Sequence, residues 1–547
     1  MERGGVVREG GVTGRGIYSS TVTHLTVAIT VESLESAHAA AARSAEHGAD
    51  LVEYRIDSFA DDADAVAALV EGSPLPCVVT CRPTWEGGAY EGDDQHRIAV
   101  MERAGLAGPA YLDIELATYE RSANLRQKVE LVVDHAGQAR GTDTGLILSA
   151  HDFERRPRDL FQKIEAMRDA EACRVIKVVW WARSLRDNIE AFEILRDAHK
   201  PTIALCMGEF GLPSRVLAKK FGALLTFSGL ADETVAAPGQ VGLDRMKGLF
   251  RWDALNAATA VYGVISWPVG HSMSPAIHNA GFDAAGHNGV YLPLPIPPEY
   301  EHFKATVGAW LDYAPLDFRG ASVTLPHKEH LLRFVRESGG TVEPLAEQIG
   351  AANTLTVADD GGLRASNTDY AGALDAVCET LGVERAGLAG RRVAVIGAGG
   401  AARAVVAGFV DCGCGVTIYN RTVVKAERLA EELGGASGAV VAAPLDDLAG
   451  SECDIYVNCT SLGMSPEVEG TPVDVAPGSW GAETVVFDTV YNPVETRLLR
   501  EAKAAGCRTI SGVEMFVRQA AAQFEGWTGQ TAPVDVFRSV LLTQLSG

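Results

Sequence analysis

Between Leu25 and Leu230, short apolar runs alternate with Ala-rich amphipathic stretches at a period of roughly 25 to 35 residues. The runs are LTVAIT (from Leu25), LVEYRID (Leu51), CVVTCRP (Cys77), AYLDIEL (Ala110), GLILSAHDF (Gly145), RVIKVVWW (Arg174), PTIALCM (Pro201) and LLTFSGL (Leu224). Their β-branched residues suit strands buried on both faces, as in a parallel sheet covered by helices. Stretches such as SLESAHAAAARSAEHG supply those helices. About eight βα units in roughly 230 residues predict a closed parallel (β/α)8 barrel, with an open doubly wound sheet as the alternative.

The pattern changes near Tyr262. VYGVISWPVGHSMSPAIHNAGF reads as a strand, a polar loop and a helix opening at Ser274 or Pro275. Further on, RRVAVIGAGGAARAVVAGF is an apolar strand feeding a Gly-rich turn and a helix. The expected division is a tail over 1–22, a barrel over 23–251, an α/β lobe over 259–370 completed by 511–547, and a Rossmann lobe over 371–510.

Composition narrows the class. A chain of 547 residues is too long for one ordinary core. A formal charge of −23 argues against nucleic acid or an anionic membrane as the main partner, and no apolar run approaches the roughly 20 residues of a membrane span. The Gly-rich first residues carry Glu2 and Glu9 and lack an apolar signal core, which reads as a disordered tail on a cytoplasmic protein. The ten cysteines form no CxxC pair, and Cys412 and Cys414 are too close for a common zinc spacing. Free thiols and no metal site are expected.

In a parallel barrel, chemistry belongs at the carboxyl ends of the strands. The unusual polar residues cluster there: Glu53 and Arg55 on the second strand, Arg82 ending the third, His151 ending the fifth, and Lys177 within the sixth. Arg215 and Gln240 follow the seventh and eighth. A lysine with an ordinary pKa of about 10.4 is only about 0.1% amine near pH 7.4. Desolvation by the apolar neighbours of Lys177 is expected to make more of the neutral amine accessible. Such an amine condenses with a ketone, the iminium acidifies the adjacent C–H, and a histidine such as His151 takes the proton. Arg82 and Arg215 offer bidentate donors to a substrate carboxylate.

VEYRID, TCRPTWEGG, SAHDF, VIKVV, the pair Ser214–Arg215 and APGQ occur in order across this half, and the series resembles type I 3-dehydroquinate dehydratase. The resemblance implies that Lys177 forms an imine with the substrate ketone. His151 would remove the C2 proton and protonate the leaving hydroxyl, with Glu86 positioning it. Glu53, Arg55, Arg82, Arg215 and Gln240 match substrate-binding positions. The family usually has Ser where this chain has Ala236. One lost hydrogen bond, worth about 1 kcal/mol, would weaken KM without silencing the domain.

In the second half, Gly397-x-Gly399-x-x-Ala402 follows a strand and opens a helix, the arrangement of a dinucleotide turn. The next strand ends in Asn420, Arg421 and Thr422, where an NAD enzyme would usually place an acid. Arg421 suits a 2′-phosphate, with Lys425 one turn on, so NADP is the expected cofactor. Lys328 and Asp369 form a candidate pair for delivering a proton to an alkoxide, with a surface salt bridge as the plain alternative.

GHSMSPAIHN, SVTLPHK, GAANT, NTD, GAGGAAR, NRT, NCTSLGM, VYNP and FVRQAAAQFEGWTG resemble the shikimate dehydrogenase series, in order over nearly the whole second half. The resemblance implies that Lys328 and Asp369 are catalytic. Ser272, Ser274, Thr324, Asn353 and Gln519 would hold the substrate's carboxylate and hydroxyls, with Tyr491 close by. Gly397, Ala398, Gly399, Gly400 and Ala401, with Asn420, Arg421, Thr422 and Lys425, would bind NADP. Many single-function members have Asn at the position of Ser322, and the fused plant-type members are more similar here.

The two resemblances imply consecutive reactions, dehydration of 3-dehydroquinate and NADPH-dependent reduction of 3-dehydroshikimate to shikimate. The expected partners are these small molecules, with no nucleic acid and no membrane, and the expected state is a monomer. The alternatives are a quinate-metabolising pair using NAD, and a metabolite-binding regulator without turnover. The presence of Lys177, His151, Lys328 and Asp369 argues against the regulator.

Overall fold

The computed structural model describes residues 22–140, 144–232, 237–270, 272–434, 439–475 and 480–546. The expected tail and Ala236 therefore lie outside the described residues, apart from Val22. The chain forms two compact units, one within Met1–Ala182 and Glu190–Leu243, the other within Arg183–Ile189 and Asp244–Gly547.

The eight apolar runs of the first unit are all strands: β1 (His24–Thr30), β2 (Leu51–Arg55), β3 (Cys77–Thr80), β4 (Tyr111–Glu115), β5 (Gly145–Asp152), β6 (Cys173–Trp181), β7 (Thr202–Met207) and β8 (Leu225–Ser228). They make one sheet ordered β7-β6-β5-β4-β3-β2-β1-β8, and every ladder in it is parallel. Between its two ends, Leu224 N donates to Thr202 O at 3.0 Å, so the ring all but closes. The period-2 alternation of β6 now has a direction. Val175 and Val179 join Ile147, Ile203, Leu205 and Phe227 in one buried cluster, while Trp180 on the opposite face is fully buried. Lys177 shares the face of the two valines, which register opposite Ile147 and Leu205.

In the second unit, β9 (Ala260–Ser266), β10 (Gly289–Pro295), β11 (Phe318–Val323), β12 (Thr341–Val342), β13 (Thr354–Val357) and β14 (Leu363–Ser366) form a mixed sheet ordered β10-β9-β11-β13-β14-β12. The C-terminal helices Gly512–Thr528 and Val534–Ser546 pack back onto it. Val517, Phe524, Phe537 and Leu541 share a core with Tyr262, Phe282 and Tyr291.

The remaining strands are β15 (Arg392–Ile396), β16 (Gly415–Asn420), β17 (Val440–Pro444), β18 (Ile455–Asn458), β19 (Val485–Asp488) and β20 (Arg508–Ile510). They are parallel and ordered β17-β16-β15-β18-β19-β20. Both faces are covered, with Val393 and Val395 in one core and Ala394 and Ile396 in the other. The strand order reverses between β15 and β18, and in such sheets ligands bind at the carboxyl ends beside that reversal. The Gly-rich turn leaves β15 at that point.

Candidate active sites

At the barrel mouth, one cavity is lined by residues of six strands and the loops that follow, among them Glu53, Arg55, Arg82, Glu86, His151 and Lys177. Arg215 and Gln240 line it too, so every described residue expected at this site converges on it. Lys177 is 4% exposed. Its ammonium meets Asp113 Oδ2 at 2.7 Å and Glu53 Oε1 at 3.4 Å, and lies 4.5 Å from the centre of the Phe227 ring. This corrects the expectation drawn from its apolar strand. The valines flank Lys177 along the chain, but the nitrogen itself reaches past them to two carboxylates, and that pairing lets a lysine be buried.

His151 is held from behind. Its ring Nδ1 lies 2.9 Å from Glu86 Oε1, and its backbone N–H donates to the same oxygen at 2.8 Å. With the proton on Nδ1, that contact leaves Nε2 as the proton acceptor. Burial raises the Glu86 carboxyl to about 7, with Arg82 opposing the rise and Glu115 adding to it. Burial, then the Arg82 and Lys177 cations, push the imidazole well below its ordinary value. Glu86 is placed by a short turn in which the chain doubles back on Arg82. A Cβ at Gly88 would lie 2.0 Å from the Arg82 carbonyl oxygen, so only glycine fits there.

The two arginines differ. Arg82 Nη1 donates to Glu115 Oε1 and Ser149 Oγ, both at 2.8 Å, and its Nη2 donates to Asp113 Oδ1 at 2.7 Å. Arg215 is 2% exposed, and its Nε has no hydrogen-bond partner among the described residues. Burial lowers its pKa to about 10. A buried guanidinium with no acid beside it among the described residues is suited to receive a substrate carboxylate.

In the second unit, a cleft of about 880 Å³ brings Lys328, Asp369, Thr324, Tyr491 and Gln519 together with the Gly-rich turn. An adjoining cavity of about 330 Å³ adds Ser272, Ser274, Asn353 and Gln523. Lys328 Nζ donates to Asp369 Oδ2 at 2.6 Å. Asn353 Nδ2 holds the other carboxylate oxygen at 2.8 Å, and Asn353 Oδ1 accepts from Thr368 N at 2.8 Å. Asp369 sits in the first turn of the helix Thr368–Leu381, whose N-terminus favours a carboxylate. The pair lies in a cleft wall with a fixed carboxylate, which a surface salt bridge would not have.

The turn after β15 fits a dinucleotide. Gly397 has φ +107°, and a Cβ at Gly399 or Gly400 would meet nothing within 4 Å, leaving room for a pyrophosphate against the helix start. The helix Gly400–Asp411 has no side-chain cap, so its first N–H groups remain available. Ala398, Gly399, Gly400, Ala401 and Lys425 line the cleft. Asn420 ends β16, with its Nδ2 donating to Thr422 O at 2.8 Å, and Arg421 is exposed beside it. Gly397, Asn420, Arg421 and Thr422 are not among the residues lining the cleft itself.

Known proteins resemble both halves of the chain. The type I 3-dehydroquinase family model matches residues 25–257, and the shikimate dehydrogenase substrate binding domain matches 264–355. The shikimate/quinate 5-dehydrogenase model matches 381–469, and the shikimate 5'-dehydrogenase C-terminal domain matches 512–542. An Arabidopsis thaliana protein, the chloroplastic bifunctional 3-dehydroquinate dehydratase/shikimate dehydrogenase, is 38% identical over 512 residues, covering 91% of this chain and 80% of that one. The chain belongs to the bifunctional 3-dehydroquinate dehydratase/shikimate dehydrogenase family. The NADP(+) shikimate dehydrogenase of Moorella thermoacetica is 42% identical over 299 residues, covering 52% of this chain and 94% of that one. A crystal structure of a shikimate dehydrogenase in complex with NADP+ matches at 35% identity over 54% of this chain and 98% of that one, with a TM-score of 0.47.

Within this family frame, sequence reading passes over three residues of the dehydratase half: Asp113, Glu115 and Arg97. The signal for the two acids was present, since AYLDIEL places them two apart, on one face of an apolar strand. Arg97 carries no such signal. It lies in the helix Asp94–Leu106, 1% exposed, and donates to Glu115 Oε2 at 2.7 Å. In the dehydrogenase half, Gln523 was missed. It accepts from Ser322 Oγ at 2.7 Å and donates to Thr354 Oγ1 at 3.0 Å, one helical turn from the expected Gln519.

Proposed function

We propose that the chain catalyses two consecutive steps, dehydration of 3-dehydroquinate to 3-dehydroshikimate and NADPH-dependent reduction of that ketone to shikimate. The observation that carries the reading is the pairing, in one chain, of a buried lysine beside a Glu86-bound histidine with a Lys–Asp pair that shares a cleft with a dinucleotide turn.

In the first step, Lys177 Nζ attacks the ketone carbon and the oxygen leaves as water, giving an iminium. His151 Nε2 takes the C2 proton while the electron pair moves into the iminium. The adjacent hydroxyl leaves with that proton as water, and hydrolysis frees Lys177. Arg215 anchors the substrate carboxylate, and Glu53, Arg55, Arg82 and Gln240 border the ring. In the second step, bound NADPH supplies the hydride. Lys328 gives a proton to the forming alkoxide oxygen, Asp369 holds the ammonium, and Asn353 holds Asp369. Ser272, Ser274, Thr324, Tyr491 and Gln519 fix the ring. We also read the chain as a monomer, and as cytoplasmic in keeping with its ten free thiols. Among the described residues, no helix is long and apolar enough to cross a membrane.

Mass spectrometry of the protein incubated with 3-dehydroquinate and NADPH tests the reading. Shikimate should accumulate by way of 3-dehydroshikimate, and a mixture unchanged in either step removes the corresponding half. Two finer outcomes follow from the geometry. Glu86 must be ionised to stabilise the imidazolium that His151 becomes, and its carboxyl titrates at about 7. Dehydratase kcat/KM should therefore fall below that pH by about tenfold per unit. Glu86→Gln should lower the plateau and abolish the limb. For the cofactor, Arg421→Ser should lower kcat/KM for NADPH by about tenfold or more, the worth of a charge-assisted hydrogen bond. The rate with NADH should stay unchanged, and equal losses with both cofactors would place Arg421 outside the 2′-phosphate site.

A further inference from the structure

The charges around Lys177 form a row of alternating sign, buried from Lys177 to Arg97 and ending on the partly exposed Asp94: Lys177, Asp113, Arg82, Glu115, Arg97, Asp94. Lys177 meets Asp113 Oδ2 at 2.7 Å, and Asp113 Oδ1 meets Arg82 Nη2 at 2.7 Å and the Ser149 hydroxyl at 2.6 Å. Arg82 then meets Glu115 Oε1 at 2.8 Å, Arg97 holds Glu115 Oε2 at 2.7 Å, and Arg97 Nη2 reaches Asp94 at 2.9 Å. Asp113 and Glu115 are both 0% exposed. Burial alone would raise the Asp113 carboxyl, but Arg82 and Lys177 hold it well below the ordinary carboxylate range. Asp113 is therefore an anion of fixed charge and orientation, with one oxygen aimed at the reacting nitrogen.

We propose that Asp113 is a further catalytic group of the dehydratase, the fixed counter-ion that carries the positive charge on Lys177 Nζ from the ammonium into the iminium. The proposal rests on the reading of Lys177 as the imine-forming residue. The balance of the step shows why a fixed anion suits it. The ammonium and the ketone become the iminium and one water. Two of the three N–H protons leave on the carbonyl oxygen, the C–O bond breaks, the C=N bond forms, and nitrogen is cationic at both ends. Only the free amine and the carbinolamine between them are neutral. An anion that neither titrates nor moves favours both end states and needs no reorganisation between them. Glu53, at 3.4 Å and shared with Thr80, is the weaker partner. Arg55, Arg82, Glu86, His151 and Arg215 are the other titratable groups lining the cavity among the described residues. Glu115 and Arg97 act as positioning residues: Glu115 holds Arg82, and Arg97 holds Glu115.

The test uses the full chain and 3-dehydroquinate. Borohydride trapping with mass spectrometry measures the adduct on Lys177, and carbon-13 NMR of substrate labelled at the ketone carbon reports whether the imine nitrogen is protonated. In the parent protein the adduct should stay protonated across roughly pH 6 to 9. In Asp113→Asn the trapped adduct should fall about tenfold or more, and its imine should lose the proton about 1 to 3 pH units earlier. A merely structural role would lower adduct yield without moving that titration. Equal adduct and equal titration in Asp113→Asn overturn the proposal. Should that variant not fold, a parent imine that deprotonates below about pH 8 overturns it equally. A parent that forms no adduct on Lys177 fails the underlying reading instead, which keeps the two failures apart.

Discussion

Lys177→Met is expected to lower dehydratase kcat by about 10⁴-fold or more, because it removes the nucleophile rather than a group that assists one. Borohydride with 3-dehydroquinate should leave no adduct, while NADP-linked shikimate oxidation by the same chain should stay within a factor of two. The unbranched thioether fills most of the lysine's volume, so the barrel interior between Val175 and Val179 is preserved. What the variant cannot supply is a cation for Asp113 and Glu53, the acids 2.7 and 3.4 Å from the missing ammonium. Asp113 keeps Arg82 at 2.7 Å, so the loss should stay below the about 3 to 5 kcal/mol of a fully uncompensated buried partner, and the barrel should melt earlier. The dehydrogenase rate does not report on that unit, and a melting curve at the assay temperature is the necessary control. A folded Lys177→Met barrel that still dehydrates substrate at more than one percent of the parental rate would remove Lys177 from the chemistry.

The barrel was legible because its strands are buried on both faces and separated by amphipathic stretches. A period of β-branched runs carries that arrangement without any tertiary information. The same holds for the dinucleotide turn, where Gly397 takes a φ of +107° that favours glycine. The environment of Lys177 was not legible in the same way. Reading along β6, its neighbours are valines, and the apolar run suggested that desolvation would favour the amine. Across the barrel its neighbours are Asp113 on β4 and Glu53 on β2, which no pattern within β6 records. Arg82 shows the same limit. At a strand end it reads as a free clamp for a carboxylate, yet its Nη donors reach Asp113, Glu115 and Ser149. Arg215, which reads identically in the sequence, has a buried Nε without a partner among the described residues. What separates the two arginines is which acids the fold brings within 3 Å, a long-range fact that composition and spacing do not carry.

Lys328→Ala should lower kcat for reduction of 3-dehydroshikimate by about 10² or more, the usual worth of a positioned general acid, with a smaller change in KM. Lys328 opens the helix Lys328–Glu337 and reaches Asp369 at 2.6 Å, so its ammonium is held at the cleft wall before substrate arrives. Truncation should remove the proposed proton source and leave the cavity lining of Ser272, Ser274 and Gln519 in place, which is why kcat should bear the loss. Asp369→Asn asks a sharper question. The amide keeps the shape, but Asn353 Nδ2 now donates to a position that is either a carbonyl or another N–H₂. The side chain will present its carbonyl to Asn353 and its NH₂ towards Lys328, turning an attractive contact at 2.6 Å into a repulsive one. Asp369→Asn should therefore lower kcat at least as far as Lys328→Ala, and the double variant should be no worse than either alone, because the two act as a unit. Additive losses in that cycle would mean that lysine and aspartate serve the reaction separately, and an unchanged kcat in Lys328→Ala would return the pair to a structural salt bridge.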